Sequence, residues 1–224
     1  MPVQDYLSAL TGTEIFKDIS SVDICEMLSC VSARVKRFDK EAYIISEGEM
    51  TDAIGIVLSG YVHVIKEDFW GARAILSIAG PGEIFAASFV CSEKRSMSVS
   101  IIAAEASEVM FLDYHRMVTG CKNACPRHAR MIENLLKCVS RENLELTEKL
   151  EHLTRRTTRE KLLSYLSARA RDAGKSRFSI PFDRQALADY LAVDRSAMSA
   201  ELSRLKREGI IDFKKNRFII LGKH

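Results

Sequence analysis

The chain has 224 residues, of which 47% are hydrophobic and 28% charged, and its formal net charge at pH 7 is +3. This length allows two domains with hydrophobic cores of their own, and the composition is ordinary for a soluble globular protein. No apolar run approaches the length of a membrane span, and the N-terminus lacks the basic and apolar regions of a signal peptide, which argues against membrane and secreted proteins. We therefore expect a cytoplasmic protein with no membrane partner.

The N-terminal half is predicted to be a short helical cap followed by a β-structure. Apolar residues have helical spacing at residues 4–10 and 22–30, and from Val31 onward they recur with a period of two. Short strands separated by turn residues predict a small closed fold, a jelly roll or β-roll, which encloses either a small ligand or only side chains. The predicted strands are residues 32–38, 43–46, 53–59, 61–66, 73–79, 98–103 and 108–112.

The spacing in residues 125–153 predicts one long helix with an apolar stripe along it. A helix of nearly 30 residues is longer than a small domain needs for its own packing, so we expect a partner helix from a second copy and a two-fold dimer. The alternative is that the stripe packs on the β-roll of its own chain. The stripe consists of Ile132, Leu135, Val139, Leu146, Leu150 and Leu153.

After a polar break at residues 154–158 and a predicted helix over residues 159–173, two short helices joined by a tight turn are predicted. Asp183 and Asp194 are each placed to cap one of them, because a short carboxylate accepts the unpaired amides of a first helical turn. Ala188 and Ala192 have the small side chains that two closely crossing helices require. This pattern is typical of a DNA-binding helix-turn-helix.

The second short helix and the segment after it supply the predicted DNA contacts. Arg195 lies in the first turn, where a two-pronged donor can reach a guanine in the major groove. Residues 210–213 and 217–221 predict a hairpin with a basic tip, that is, a wing. The predicted DNA-contacting residues are Arg195, Ser196, Ser199 and Ala200 on the helix, Arg184 and Gln185 on the helix before it, and Lys214 and Lys215 on the wing.

Charge supports a nucleic-acid partner for this C-terminal segment. From Thr154 onward there are 17 lysines and arginines against 8 acidic residues, whereas the preceding residues carry a net charge of −6. Because phosphate neutralisation supplies most non-specific DNA affinity, the basic segment is expected to bind double-stranded DNA. We divide the chain into a β-roll effector domain (residues 1–123), a dimerisation helix (124–153) and a winged helix-turn-helix domain (154–224).

This arrangement resembles the Crp/Fnr superfamily of bacterial transcription regulators over essentially the whole chain. The resemblance rests on Glu47-Gly48-Glu49 with Val57-Leu58-Ser59-Gly60-Tyr61-Val62, on Thr157-Thr158-Arg159-Glu160-Lys161-Leu162, and on Asp194-Arg195-Ser196-Ala197-Met198-Ser199. It implies an α+β fold with a cyclic-nucleotide-binding-like β-roll (a double-stranded jelly roll), a homodimer without catalytic residues, and RNA polymerase as a partner. It also places Arg195, Ser196 and Ala200 at the three base-reading positions, the last of which is commonly arginine in relatives.

The resemblance further implies an effector site in the roll. In members that bind cyclic AMP, a glutamate holds the ribose and an arginine with a serine holds the phosphate, whereas Ala86-Ala87 stands here where the glycine and the glutamate would lie. The arginine and serine are kept, so an unidentified small effector is expected and cyclic AMP is not. The expected effector site consists of Gly82, Glu83, Ala86, Ala87, Arg95 and Ser96.

Two other classes of function remain as alternatives. A redox-responsive regulator would hold an iron–sulfur cluster on Cys25, Cys30, Cys121 and Cys125, respond through its thiols, or bind haem through His63. The cysteine spacing does not match that of Fnr-type sensors, and a disulfide framework is not expected in the cytoplasm.

A cupin-like metalloenzyme would need histidines that converge on one metal, but the five histidines show no such spacing, so no metal site is predicted. The remaining cysteines are Cys91 and Cys138, and the remaining histidines are His115, His128, His152 and His224.

Overall fold

The computed structural model describes residues 6–71, 73–92, 96–119 and 126–222. The chain forms two compact units, one comprising Met1–Ala72 and Leu76–Asn143 and the other Arg73–Ile75 and Leu144–His224. The division between them falls inside the segment predicted as a dimerisation helix. None of the helices in the described ranges is long and apolar enough to cross a membrane.

The first unit begins with two helices, α1 (Leu7–Leu10) and α2 (Ser21–Cys30), and a 3-10 turn (Glu14–Phe16) between them. The Ser20 side chain caps α2 by accepting a hydrogen bond from the Asp23 amide at 3.2 Å. Both predicted helices are present, although the expected start of the first at Gln4 lies outside the described residues. The apolar sides of these elements are buried in the core of the unit.

Two four-stranded antiparallel sheets form the roll. Their strand orders are β1-β8-β3-β6 and β2-β7-β4-β5, so neighbours in space are mostly distant in sequence. All seven predicted strands are present, which confirms the β-roll. The strand β6, the helix α3 (Ala87–Val90) and the helix α4 (Tyr114–Thr119) were not predicted. The strands are β1 (Arg34–Phe38), β2 (Tyr43–Ile45), β3 (Ala53–Ser59), β4 (Val62–Glu67), β5 (Arg73–Ala79), β6 (Ile84–Phe85), β7 (Ser100–Ala103) and β8 (Ser107–Asp113).

The roll interior is close-packed where β3 meets β6. Gly55 pairs with Phe85, and a methyl group built on Gly55 would lie 2.1 Å from Cζ of the phenyl ring. The ring itself is 2% exposed, so it has little room to move away. Position 55 therefore requires glycine, because any side chain there would collide with the ring of Phe85.

We expect Gly55→Ala to lower the free energy of unfolding by about 1–3 kcal/mol, the range for overpacking a well-packed core. Urea denaturation of the full chain measures this change. Gly12→Ala is the control, because no atom of the described residues lies within 4 Å of a methyl group built there. Equal stabilities of the two variants would mean that the ring can shift without cost.

The first unit also contains α4 (Tyr114–Thr119) and the beginning of the long helix α5 (Pro126–Leu153). On α5, Met131 and Leu135 are buried in the core of this unit. Asn134 is buried too, and its amide donates to the carbonyls of Ile15 and Lys17 at 3.2 and 2.8 Å. The first part of the stripe therefore packs on its own chain, as the alternative interpretation held.

The second unit contains a three-helix domain with a small sheet. Its elements are α6 (Thr158–Ala173), β9 (Arg177–Ser179), α7 (Arg184–Leu191), α8 (Arg195–Arg207), β10 (Ile211–Lys214) and β11 (Arg217–Ile220). The strands form one antiparallel sheet in the order β10-β11-β9. The helix-turn-helix and its wing are thus confirmed, whereas the third strand, β9, was not predicted.

Candidate nucleic-acid interface

Local capping fixes where the two helices of the helix-turn-helix begin. The Asp183 carboxylate accepts from the Ala186 amide, and the Asp194 carboxylate accepts from the Ala197 amide, both at 2.8 Å. Each carboxylate also lies at the positive end of a helix dipole. Both predicted caps are therefore present, and Arg195 is the first residue of α8.

The two alanines of the turn have different environments. Ala188 is 1% exposed on the packed side of α7, as predicted for closely crossing helices. Ala192 is exposed, however, and has a left-handed backbone with φ +49°. The expectation that Ala192 packs at the crossing was wrong, because this residue reverses the chain between the two helices.

The predicted reading surface lies on the exposed side of α8. Arg195, Ser196 and Ala200 are exposed and Ser199 is half-buried, while the opposite side buries Met198, Leu202 and Leu205. Ser203 and Arg207 continue the same exposed side at helical spacing and were missed by the sequence analysis. Helix periodicity counted past Ala200 would have found them.

The helix α7 contributes less to this surface than the sequence suggested. The Arg184 guanidinium lies over the rings of Phe213 and Phe218, with centroids 4.7 and 5.4 Å away, and burial lowers its pKa. The Arg184 side chain therefore packs the wing against α7, and its predicted contact with DNA stays a prediction. Gln185 is exposed, and its amide donates to Asp189 at 2.8 Å.

The wing presents a cluster of cations. Lys214 pairs with Arg217 across the hairpin, and Lys215, with φ +56°, lies in the turn between them. All three side chains are exposed. A cleft of about 630 Å³ on the sheet is lined by Lys214 and Arg217 together with Arg177 and Lys206. The wing therefore carries one cation, Arg217, in addition to the predicted Lys214 and Lys215.

In the predicted effector loop, Ala86 and Ala87 supply no carboxylate at the position expected to bind a ribose. Ala87 is fully buried in the core, and Ala86 has a left-handed backbone with φ +65°, a conformation that favours glycine. Glu83 accepts from the Gly80 amide at 2.8 Å, and Gly82, with φ +85°, lies in the same turn. Ser96 is exposed, while Arg95 lies outside the described residues.

The predicted dimer stripe divides between buried and exposed residues. Leu135 is only 4% exposed in a single chain, so its assignment to a dimer interface was wrong, because it packs in its own core. Ile132, Val139 and Leu153 are half-buried, while Leu146 and Leu150 are 41% and 61% exposed. Two further leucines of α5 that were not part of the predicted stripe, Leu136 and Leu144, are 64% and 71% exposed.

The cysteines and histidines do not assemble a metal site within the described ranges. No group of three potential ligands is found there, and Cys121 and Cys125 lie outside those ranges. Cys25 is half-buried, Cys30 is exposed, and burial raises the pKa of Cys138 to about 11. His63, the candidate haem ligand, is 8% exposed on β4.

Two family models match the chain. Residues 35–123 match the model of the cyclic nucleotide-binding domain, and residues 160–223 match that of the Crp-like helix-turn-helix domain. The first range covers the roll from β1 through α4, and the second covers almost all of the three-helix domain with its wing.

Sequence relatives are named as regulation or transcriptional activation proteins. The nitrogen fixation regulation protein FixK of Bradyrhizobium diazoefficiens is 26% identical over 206 residues, which are 86% of this chain and 80% of the relative. The transcriptional activatory protein AadR of Rhodopseudomonas palustris is 26% identical over 216 residues, 91% of this chain and 83% of the relative. The transcriptional activator protein FnrL of Cereibacter sphaeroides is 37% identical over 78 residues, 31% and 32% of the two chains.

Solved structures share the fold. FixK2 from Bradyrhizobium japonicum aligns with a TM-score of 0.69 at 21% identity and covers 85% of this chain and 93% of its own. A CooA variant from Carboxydothermus hydrogenoformans aligns with a TM-score of 0.72 at 19% identity, and the alignment covers 95% of this chain and 94% of the CooA chain. With a cyclic-nucleotide-binding-like roll, a long helix and a Crp-like helix-turn-helix in one chain, the protein belongs to the Crp/Fnr superfamily of transcriptional regulators.

Proposed function

We propose that two copies of the chain bind a two-fold-symmetric operator, with one α8 entering the major groove at each half-site. The observation that carries this proposal is the doubly capped α7–α8 pair, which presents an exposed α8 side free of carboxylates at Arg195, Ser196, Ala200 and Ser203. The protein acts on gene expression rather than as an enzyme, in the cytoplasm, with RNA polymerase as a further partner.

Each residue type on α8 has a definite counterpart on a base edge. Arg195 can donate two hydrogen bonds to a guanine, and Ser196 and Ser199 can donate to or accept from base edges or phosphates. The methyl group of Ala200 suits contact with a thymine methyl group, in place of the second guanine contact that an arginine would make. The operator is therefore expected to differ from that of arginine-containing relatives at one position in each half-site.

The effector is proposed to be a small molecule held in the roll. One relative is named the cyclic AMP receptor protein of Thermus thermophilus and is 23% identical over 205 residues. Ala87 is buried and supplies no carboxylate at the position expected to hold the ribose, so we propose an effector other than cyclic AMP. The site would be formed by the turn at Gly82 and Glu83 together with Ser96 and with Arg95, which lies outside the described residues.

Selection of duplexes from a random-sequence pool with the full chain tests the proposal. We expect selected duplexes to share a two-fold-symmetric sequence and to bind about 10³-fold or more tightly than unselected duplex at the same salt concentration. Recovery of sequences no tighter than the pool would contradict sequence-specific binding.

The wing is expected to contribute affinity without sequence preference. Lys214→Gln and Lys215→Gln should each weaken binding to selected and unselected duplex by the same factor, because phosphates are identical in both. Each change should also reduce the slope of log affinity against log salt by about 1. Filter binding between 50 and 200 mM salt measures this slope. A change in base preference would show that the lysine reads a base instead.

A further inference from the structure

The start of α6 is fixed firmly to the backbone that precedes it. Thr157 Oγ1 accepts from the Glu160 amide at 3.2 Å, and the Glu160 carboxylate accepts from the amides of Arg156 and Thr157 at 3.1 and 3.2 Å. This reciprocal capping box stabilises the first helical turn and lowers the pKa of Glu160. Arg159 lies in this first turn, so the position of its backbone is well defined.

Arg159 connects α6 to two separate points on the recognition helix. Its Nη1 lies 2.9 Å from Glu201 Oε1, and its Nη2 lies 2.5 Å from Glu208 Oε2. The two carboxylates are seven residues apart, or about two helical turns, so they lie on the same side of the helix. Their hydrogen bonds raise the pKa of Arg159, and its guanidinium lowers the pKa of Glu208.

A contact at two points along α8 constrains its rotation about its own axis. Met198, Leu202 and Leu205 also hold the helix, but apolar packing is non-directional, whereas a charged hydrogen bond weakens steeply when its angle changes. Glu201 directly follows Ala200 of the reading surface. A rotation of about 20° moves a side-chain atom about 5 Å from the axis by roughly 2 Å, enough to break a hydrogen bond to a base.

We propose that Arg159 is a positioning residue for DNA recognition: its two-pronged bridge to Glu201 and Glu208 sets the rotation of α8 and so the aim of the base-reading side chains. The inference rests on the proposed function, because it concerns the same helix. It adds a residue that touches no DNA yet determines sequence preference.

Arg159→Lys is the decisive variant. Lysine keeps the positive charge but offers one ammonium group in place of a planar fork, so it cannot hold both carboxylates in the same geometry. The ratio of affinities for selected and unselected duplex is expected to fall about fivefold. This factor corresponds to the upper end of the free energies that exposed ion pairs contribute. Affinity for unselected duplex should stay unchanged, because the net charge is unchanged.

Two companion variants separate positioning from stability. Glu201→Gln removes the negative charge of one acceptor and puts an amide in its place, which should lower the same ratio, with little further loss when it is combined with Arg159→Lys. Arg130→Lys is the matched control, because Arg130 pairs with Glu133 at 2.9 Å and both residues lie on α5 rather than on α6 or α8. Its ratio should equal that of the unmodified chain, and urea midpoints of all variants measure any loss of stability.

The outcomes distinguish this inference from the proposed function. If the unmodified chain prefers selected duplex and Arg159→Lys keeps that preference, the charge alone suffices and the bridge does not position α8. Equal losses on both duplexes together with a lowered urea midpoint would assign Arg159 a purely structural role, which also overturns the inference. An unmodified chain that does not discriminate between the duplexes would contradict the proposed function itself.

Discussion

Replacement of both Leu136 and Leu150 by glutamate is expected to give a folded monomer that has lost at least about 100-fold in operator affinity. The two leucines are 64% and 61% exposed in a single chain, so folding does not depend on burying them. They are 14 residues apart and therefore lie on nearly the same side of α5. If α5 packs against α5 of a second copy, the two glutamates of each chain would place four carboxylates in an interface that excludes water, which is strongly unfavourable.

The loss of affinity follows from the loss of the second recognition helix. In a dimer, binding of one α8 brings the other to its half-site at high effective concentration, which adds 10²- to 10⁴-fold or so to the overall affinity. Sedimentation equilibrium measures the mass, and circular dichroism shows whether the helices remain. Val22→Glu is the control, because Val22 is an equally exposed apolar residue, at 71%, on α2. A dimer that persists in the double variant would place the interface on another surface.

Arg195→Ala is expected to weaken binding to the selected duplex by about 5- to 150-fold, the equivalent of about 1–3 kcal/mol for a bidentate contact to a guanine. The same change should relax the preference at one base pair of each half-site. Arg195 is the exposed first residue of α8, so its removal leaves the packed side of the helix intact.

Arg171→Ala serves as the control for charge alone, because Arg171 is an exposed cation in the last turn of α6. It should reduce affinity for selected and unselected duplex alike and by a small factor. Competition with duplexes that carry single base changes measures the preference. An unchanged preference in Arg195→Ala would mean that α8 is placed differently on the DNA.

Features determined by neighbouring residues were the ones that the sequence predicted well. Asp183 and Asp194 each accept an amide three residues ahead, so sequence alone locates the two helix starts. The strands β3 and β5 have the predicted bounds because turn residues delimit them on both sides. The missed β6 has only two residues, too few to show a period.

Features that depend on distant residues were predicted less well. The spacing that identified the stripe on α5 could not distinguish Leu135, which packs in its own core, from Leu150, which is exposed, because both satisfy helical periodicity. Arg184 was predicted to contact DNA, and the sequence did not show that its guanidinium lies over the rings of Phe213 and Phe218, which are distant along the chain. Such contacts depend on how the wing packs against α7 in the folded protein, so the sequence alone does not predict them.

The most direct test of two recognition helices in successive major grooves is hydroxyl-radical and methylation protection on the selected duplex with the full chain. We expect two protected half-sites related by a two-fold axis, with their centres about 34–36 Å apart, or one turn of DNA. Guanine N7 should be protected within each half-site, because Arg195 would occupy the major groove there. A single protected half-site, or protection confined to the minor groove, would contradict this account of how the protein reads DNA.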